Sequence, residues 1–271
     1  MAHACGAALG WLAWMCSPTY RRRFAANSAQ AGYRFAQVRA AIGHAGRMVA
    51  ELPRLWLKET PVNAMHGTEV VEQAWAAGKG ILFLTPHLGC FELSVQSAAQ
   101  KWAGERGPIT ILYRPAKQAW LAEMMLTARN RAGIQAVPTT LAGVRQMIKA
   151  LRKGQAVGLL PDQVPPHGQG QWAPFFGQDA YTMTLAARLA LQTGATVVLA
   201  RCERLPRGRG YELFFEALPA PLSAQLDEAV IQINQAMEHT IQQCPTQYLW
   251  GYGRYKQPRH EAPATQEGGA A

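Results

Sequence analysis

The pattern of apolar positions changes near residue 60. Before it, Tyr33, Phe35, Val38, Ile42, Met48, Leu52, Leu55 and Trp56 fall at helical spacing among basic residues between Asn27 and Lys58. That is the pattern of helices with one apolar face. Leu52-Pro53 is expected to interrupt it, because proline lacks the helical N–H and crowds the preceding turn. After Thr60, short apolar runs alternate with helical stretches. The runs Gly80–Leu84, Ile109–Tyr113, Ile134–Val137, Ala156–Leu160, Thr196–Ala200 and Tyr211–Phe215 predict strands. The stretches Gly67–Ala77, Gly89–Ala103, Ala119–Ala132, Leu141–Lys153, Thr182–Thr193 and Asp227–Gln243 predict helices. Strands separated by helices imply βαβ units. The expected fold is α/β: a single domain with a mostly parallel central sheet flanked by helices, plus an N-terminal amphipathic helical extension. No internal repeat is visible.

The first residues add a second feature. The stretch Ala4–Cys16, "ACGAALGWLAWMC", is apolar throughout and is followed by "SPTYRRR". Thirteen residues span only about 20 Å as a helix, short of a hydrocarbon core about 30 Å thick. The stretch also lacks the basic start and small-residue cleavage site of a signal peptide. Trp11, Trp14 and Tyr20 beside Arg21, Arg22 and Arg23 suit a helix lying at a membrane interface. A helix packed on the core is the alternative. The chain therefore divides into a membrane-associating helical region (1–58), an α/β domain (59–258) and a polar tail expected to be disordered (259–271).

Composition narrows the class. Of the 271 residues, 49% are apolar, enough for a sizeable core, and the formal net charge is +10. That charge favours an anionic partner: nucleic acid, an acidic membrane, an acidic protein or a phosphorylated substrate. No helix-turn-helix, zinc-finger or RNP-like pattern supports nucleic acid. Cys5, Cys16, Cys90, Cys202 and Cys244 are odd in number and widely spaced, without a C-x-x-C. This reads as free thiols in a reducing compartment, not a disulfide framework or zinc ribbon.

Candidate chemistry begins at "TPHLGCFELS" (85–94), just after the apolar run "GILFL". In a parallel α/β sheet, function gathers beyond the carboxyl ends of strands, and His87 falls there. On one straight helix, His87 and Glu92 would point about 140° apart. With His87 on the entry loop and Glu92 in the first helical turns, the carboxylate can reach back to one imidazole nitrogen. It would then fix the tautomer and stabilise the imidazolium, as in a serine-protease triad. No serine nucleophile is evident, so the nucleophile would be a hydroxyl on the substrate. The plain alternative is a helix-capping histidine and a solvated acid. The pair lacks the H-E-x-x-H spacing of a metal site, and no metal is expected.

Further segments follow in order: "LYRPAKQAWL" (112–121), "ARNRAG" (128–133), "GVRQMIKALRKGQAVGLLPDQ" (143–163), "GQWAPFFGQDAYTMTLAARLALQTGATVV" (170–198) and "CPTQYLWGYGRYKQPR" (244–259). Together with H-x4-E they resemble the bacterial lipid A biosynthesis acyltransferases, over about Leu9 to Arg259. The ordered set is specific, although each piece alone is weak. The resemblance implies a glycerophosphate-acyltransferase-like fold and transfer of a fatty acyl chain from an acyl-carrier-protein thioester, or acyl-CoA, with no bound cofactor. The acceptor would be a hydroxyl of a phosphorylated glycolipid, a Kdo-bearing lipid A precursor. The place of work would be the cytoplasmic face of the bacterial inner membrane. Another lipid acceptor, such as an ornithine lipid, and a hydrolase in which His87 activates water remain as alternatives.

In this light His87 is the candidate base and Glu92 its orienter. The resemblance carries Arg129 over as a binder of phosphate, phosphopantetheine or a catalytic carboxylate. Asp162, after the strand Ala156–Leu160, is expected to pair with a nearby arginine or polarise site groups. Arg114 is a candidate donor or phosphate contact and Gln163 a polar contact. Phe175-Phe176-Gly177 shapes an acyl channel or packs in the core. Trp250, Arg254 and Lys256 lie in a terminal aromatic–basic segment expected to meet a lipid head group, with core packing as the alternative for Trp250.

Overall fold

A computed structural model describes residues 2–113, 118 and 131–260. Arg114, Arg129, nearly all of the expected helix Ala119–Ala132, and the tail from residue 261 lie outside the described residues.

The central sheet has seven strands in the order β1-β9-β8-β2-β5-β3-β4. β2 (Ile81–Leu84), β3 (Ile109–Tyr113), β4 (Ile134–Pro138), β5 (Ala156–Leu159) and β8 (Thr196–Arg204) run parallel. β9 (Tyr211–Ala217) is antiparallel to β8, and the short β1 (Ala64–His66) is parallel to β9. The sheet is thus mostly parallel, as the alternation of runs and helices implied. All four residues of β2 are buried, because both faces of a parallel sheet are covered. Leu82 and Leu84 pack with Val157, Leu159, Val197 and Leu199 on one face. Ile81 and Phe83 pack with Val198 and Ala200 on the other. Each such buried side chain contributes about 1.5–3 kcal/mol relative to exposure.

Helices cover both faces. The Leu82 face takes Met147 and Leu151 of α7 (Leu141–Arg152), Leu189 of α8 (Leu185–Thr193) and Ile233 and Met237 of α9 (Leu226–Gln243). The Phe83 face takes Val71 and Trp75 of α5 (Thr68–Ala76) and Leu93 and Trp102 of α6 (Phe91–Arg106).

The N-terminal region folds as α1 (Ala2–Cys16), α2 (Pro18–Gln30), the single-turn α3 (Phe35–Val38) and α4 (Ala40–Leu57). The expected break at Leu52-Pro53 is not where the helix ends. Pro53 lies inside α4, which Leu55 (2% exposed) and the buried Glu51 anchor on either side. The pattern divides instead at residues 31–34, where Arg34 is extended and its N–H is capped by Gln37 Oε1 at 2.8 Å. α1 packs directly on α4: a Cβ on Gly46 would lie 2.1 Å from Gly6 O, and one on Gly10 2.1 Å from Ile42 O. Only glycine allows that approach. Outward, α1 exposes Leu9, Leu12 and Met15. Among the described residues, no helix is long and apolar enough to cross a membrane.

The sequence reading lacks the short β1 and a hairpin of β6 (Gly170–Phe175) and β7 (Gln178–Met183). Its turn is Phe176-Gly177, both with positive φ (47° and 76°), the geometry that two-residue hairpins prefer. The helix expected from Thr182 starts instead at Leu185. At the C-terminal end, Arg259 O accepts from His167 N at 3.0 Å, and the His260 ring stacks on His167. These first two residues of the expected tail therefore pack on the domain.

Candidate active site

Two adjacent parallel strands bring the chemistry together. Leu84 at the end of β2 pairs in register with Leu159 at the end of β5. Each chain then passes through one further residue and a proline, Thr85-Pro86 and Leu160-Pro161. Proline disfavours helix in the residue before it, so both loops leave the sheet extended. Three residues past the paired leucines stand His87 and Asp162. The His87 loop turns at Gly89 (φ 58°), where a Cβ would meet Cys202 O at 2.0 Å. α6 starts directly afterwards.

Asp162 holds His87 at two points. Its Oδ1 lies 2.6 Å from His87 Nδ1, and its Oδ2 accepts from the His87 backbone N–H at 2.9 Å. The Asp162 side chain is 2% exposed and that of His87 18%. Burial by itself pushes the Asp162 carboxyl up. The facing His87, with its ring and backbone hydrogen bonds, and then Arg254 outweigh this and hold it below the usual carboxylate range. An ionised Asp162 fixes the proton of neutral His87 on Nδ1 and leaves the Nε2 lone pair available. Among the described residues nothing hydrogen-bonds to Nε2. The Phe91 ring packs edge-on against the imidazole, centroids 4.9 Å apart. The arrangement can accept a proton at Nε2 while Asp162 stabilises the resulting imidazolium.

The carboxylate on Nδ1 thus comes from 75 residues downstream, whereas the sequence reading had Glu92 reach back to one of the two imidazole nitrogens. Glu92 stands half-buried in the first turn of α6, where the helix dipole favours an anion. Asp162 was expected to pair with a nearby arginine or to polarise site groups; its direct partner is His87, and Arg254 acts on it by charge. Gln163 is half-buried beside Asp162. Arg114 and Arg129 lie outside the described residues. Among the described residues no group of three His, Cys, Asp or Glu is placed to hold a metal ion.

Of the terminal aromatic–basic segment, expected at a lipid head group, Trp250 and Arg254 are interior and Lys256 is half-buried over the Tyr252 ring. Trp250 is 1% and Arg254 2% exposed. Arg254 donates to Tyr181 O (2.8 Å), Thr182 Oγ1 (2.7 Å) and Asn234 Oδ1 (3.4 Å), and lies over the Phe175 ring. Phe175 is itself core. Burial, and next the negative charge of Asp162, push the Tyr248 phenol well above its ordinary range. Tyr248 and Arg254 are therefore electrostatic neighbours of the Asp162 carboxylate. The sequence reading assigned Tyr248 no role.

Similar proteins identify the family. The lipid A biosynthesis lauroyltransferase of Escherichia coli (strain K12) is 29% identical over 194 residues, 70% of this chain and 60% of that protein. The lipid A biosynthesis palmitoleoyltransferase of the same organism is 24% identical over 193 residues, 71% of this chain and 61% of that protein. A lipid A biosynthesis acyltransferase of Haemophilus influenzae is 26% identical over 186 residues, 68% of this chain and 56% of that protein. The chain spans about three-fifths of the length of these relatives. The model of the bacterial lipid A biosynthesis acyltransferases matches residues 30–257, a region that holds the whole sheet and both loops of the His87–Asp162 pair, and the chain belongs to that family.

Proposed function

We propose that the protein transfers a fatty acyl group from a thioester, carried by acyl carrier protein or coenzyme A, to a hydroxyl of a lipid A precursor. The observation that carries this reading is the buried Asp162 on His87 Nδ1, with Nε2 at the carboxyl edge of the sheet. An alcohol is a poor nucleophile at neutral pH and needs a base in the transition state. His87 Nε2 takes the hydroxyl proton as the oxygen attacks the thioester carbonyl. The tetrahedral intermediate collapses with cleavage of the C–S bond, and the imidazolium returns the proton to the departing thiolate. An ester and a free thiol result, with no covalent enzyme intermediate.

Two surfaces support the partners. Between Glu123 and Asp162 the sequence holds no acidic residue. Within that stretch α7 presents Arg145, Lys149, Arg152 and Lys153 around an open groove of ≈ 480 Å³. The groove lies toward the C-terminal end of α7, whose Leu151 packs beside Gly80 at the start of β2, on the sheet edge opposite His87. An acidic carrier protein suits such a face. The exposed Leu9, Leu12 and Met15 of α1, next to the arginines of α2, suit the headgroup region of an anionic membrane. Arg21 closes the end of α1 by donating to the Trp14 and Met15 carbonyls. The location we propose is the cytoplasmic face of the inner membrane.

The test is a mass-resolved assay with purified protein in detergent, carrier protein charged with chains of several lengths, and Kdo-bearing lipid A precursor. The expected result is one added acyl mass with wild type and none with His87→Ala. Free fatty acid without acylated product would replace the transferase with a hydrolase. An intact donor would point to another acceptor lipid.

A further inference from the structure

The loops that carry His87 and Asp162 are not held by the sheet alone. The chain from Cys244 to Arg254, which follows α9, forms an irregular strap across both. Gln247 anchors its start to the end of β8 by exchanging two hydrogen bonds with the Arg204 backbone, at 2.9 and 3.0 Å. Gly89 N–H then donates to Gln247 O (3.1 Å), and Leu249 N–H to His87 O (3.2 Å). Leu88 and Tyr248 form an antiparallel bridge between them. Further along, Tyr252 Oη accepts from the Val164 backbone N–H at 3.0 Å, two residues past Asp162. One segment therefore grips both halves of the pair.

The strap has no regular ladder of its own from Tyr248 to Arg254, only tight turns such as Trp250 N–H to Tyr248 O and Tyr252 N–H to Leu249 O. Tyr252 O accepts from Arg254 N–H at 3.0 Å within the strap, but Trp250 O needs a partner from elsewhere. That partner is Asn27 of α2. Its amide Nδ2 donates to both Trp250 O (2.7 Å) and Tyr252 O (2.6 Å). These two carbonyls lie within the stretch that runs from the contact to His87 at Leu249 to the contact to Val164 at Tyr252. Asn27 is also three residues ahead of the region matched by the family model.

Resting on the reading of His87 and Asp162 as the reacting pair, we propose that Asn27 is a positioning residue: its amide locks the strap that sets the His87 and Asp162 loops against each other. The N-terminal helices are then part of the catalytic unit and not a detachable anchor. Whatever seats α1 and α2 on a surface also bears on the strap. Reacting groups displaced by about 1 Å lose roughly 100-fold in rate, so a loosened strap lowers kcat while leaving substrate affinity nearly intact.

The experiment compares full-length wild type, Asn27→Ala, Asn27→Asp and Tyr252→Phe, with Ala26→Gln on the exposed side of α2 as control. Two readouts are taken: kcat and KM in the acyl-transfer assay, and the downfield imidazole N–H resonance of His87, assigned by its absence in His87→Ala. Asn27→Ala should lower kcat by about 10- to 100-fold with little change in KM, and should broaden or shift the N–H resonance. Asn27→Asp, which turns an oxygen toward two carbonyls, should do more. Tyr252→Phe should give a smaller effect of the same kind, and Ala26→Gln none. A folded Asn27→Ala with the wild-type kcat and an unmoved resonance would overturn the proposal, whatever Asn27→Asp does. If wild type transfers no acyl chain, the proposed function fails, and the resonance still decides the role of Asn27.

Discussion

The carboxyl edge of the sheet and the α1–α4 contact are held by opposite means. At the edge, buried carboxylates meet their partners at hydrogen-bonding distance: Asp162 on His87, and Glu51 on Arg204 at 2.8 Å. Between α1 and α4 the fit comes from side chains that are missing, with Gly6, Gly10 and Gly46 bringing backbone against backbone. Charged hydrogen bonds have direction and fix atoms relative to one another. Small residues set only how near two helices come. Damage at the edge should therefore show first in chemistry, and damage between the helices first in stability.

The sharpest version of that contrast is at Asp162. Asp162→Asn keeps the shape but not the charge that holds the Nδ1 proton, and turnover in the proposed reaction should fall on the order of 10³-fold or more. Glu92→Gln, which leaves both Asp162 contacts to His87 in place, should cost less. Because His87 and Asp162 act as one unit, the His87→Ala/Asp162→Asn double variant should be no slower than His87→Ala alone. Steady-state kinetics on folded variants measures all of these. Additive losses would mean that Asp162 does something other than orient His87.

The pairing explains how much of the site could be read beforehand. Both residues were candidates because each follows an apolar run, and function collects at such ends. Their partnership was missed because spacing along the chain describes helix faces, not which strands are neighbours. β5 lies beside β2 although β3 and β4 intervene in sequence. A signal was present in the matching ends, Leu84-Thr85-Pro86-His87 and Leu159-Leu160-Pro161-Asp162. Two runs that finish alike can be adjacent strands in the same register. The hairpin Gly170–Met183 was illegible for another reason. Its strands contain glycine, proline and aspartate, which are depleted in strands, and pairing with each other and packing on α9 overrides that preference. Arg254 looked like a surface cation, and nothing local marks a burial that depends on acceptors from Tyr181, Thr182 and Asn234.

Glu51 tests the same edge through stability. It pairs with Arg204 through two contacts, 3.0 and 2.8 Å, at a site where both side chains are almost fully buried. Glu51→Ala strands a buried cation, and removal of one partner from such a pair costs about 3–5 kcal/mol. Urea unfolding should show a loss in that range. A loss under about 1 kcal/mol would place the pair among solvent-screened ion pairs.

Gly46→Leu probes the other region. Its Cβ would fall 2.1 Å from Gly6 O, so α1 must move away from α4. Overpacking of this kind costs about 1–3 kcal/mol. α1 should become the first site of limited proteolysis, while kcat in detergent falls far less than in Asp162→Asn. Equal losses of kcat would break the contrast and mean that the seating of α1 is transmitted to the site.

Acid should separate the two regions by pH. Burial first, then the charges of Arg204, Arg47 and His3, push the His44 imidazole on α4 down to about 3, and its Nδ1 is buried without a hydrogen bond. In the unfolded chain the same group titrates near about 6.5. Between those values the unfolded state binds the extra proton, so stability falls as pH drops below about 6.5, at no more than about 1.4 kcal/mol per pH unit. Asp162 has the opposite chemistry and the same sign. Its folded value is depressed, so its contribution is complete above the ordinary carboxylate range and is lost only as pH falls through the lower folded value. Acidification should therefore weaken the α4 region first and the catalytic pair second. Urea midpoints from pH 7 to pH 4 should decline in wild type, and the decline should flatten in His44→Leu but persist in Asp162→Asn. A wild-type midpoint that stays level down to pH 5 would show that His44 is protonated in the folded protein, with a counter-charge from Glu51, which faces the same buried cluster. The helical region would then be stabilised by a buried charge network like the one at the sheet edge, and the difference between the two regions would narrow to the glycine contact alone.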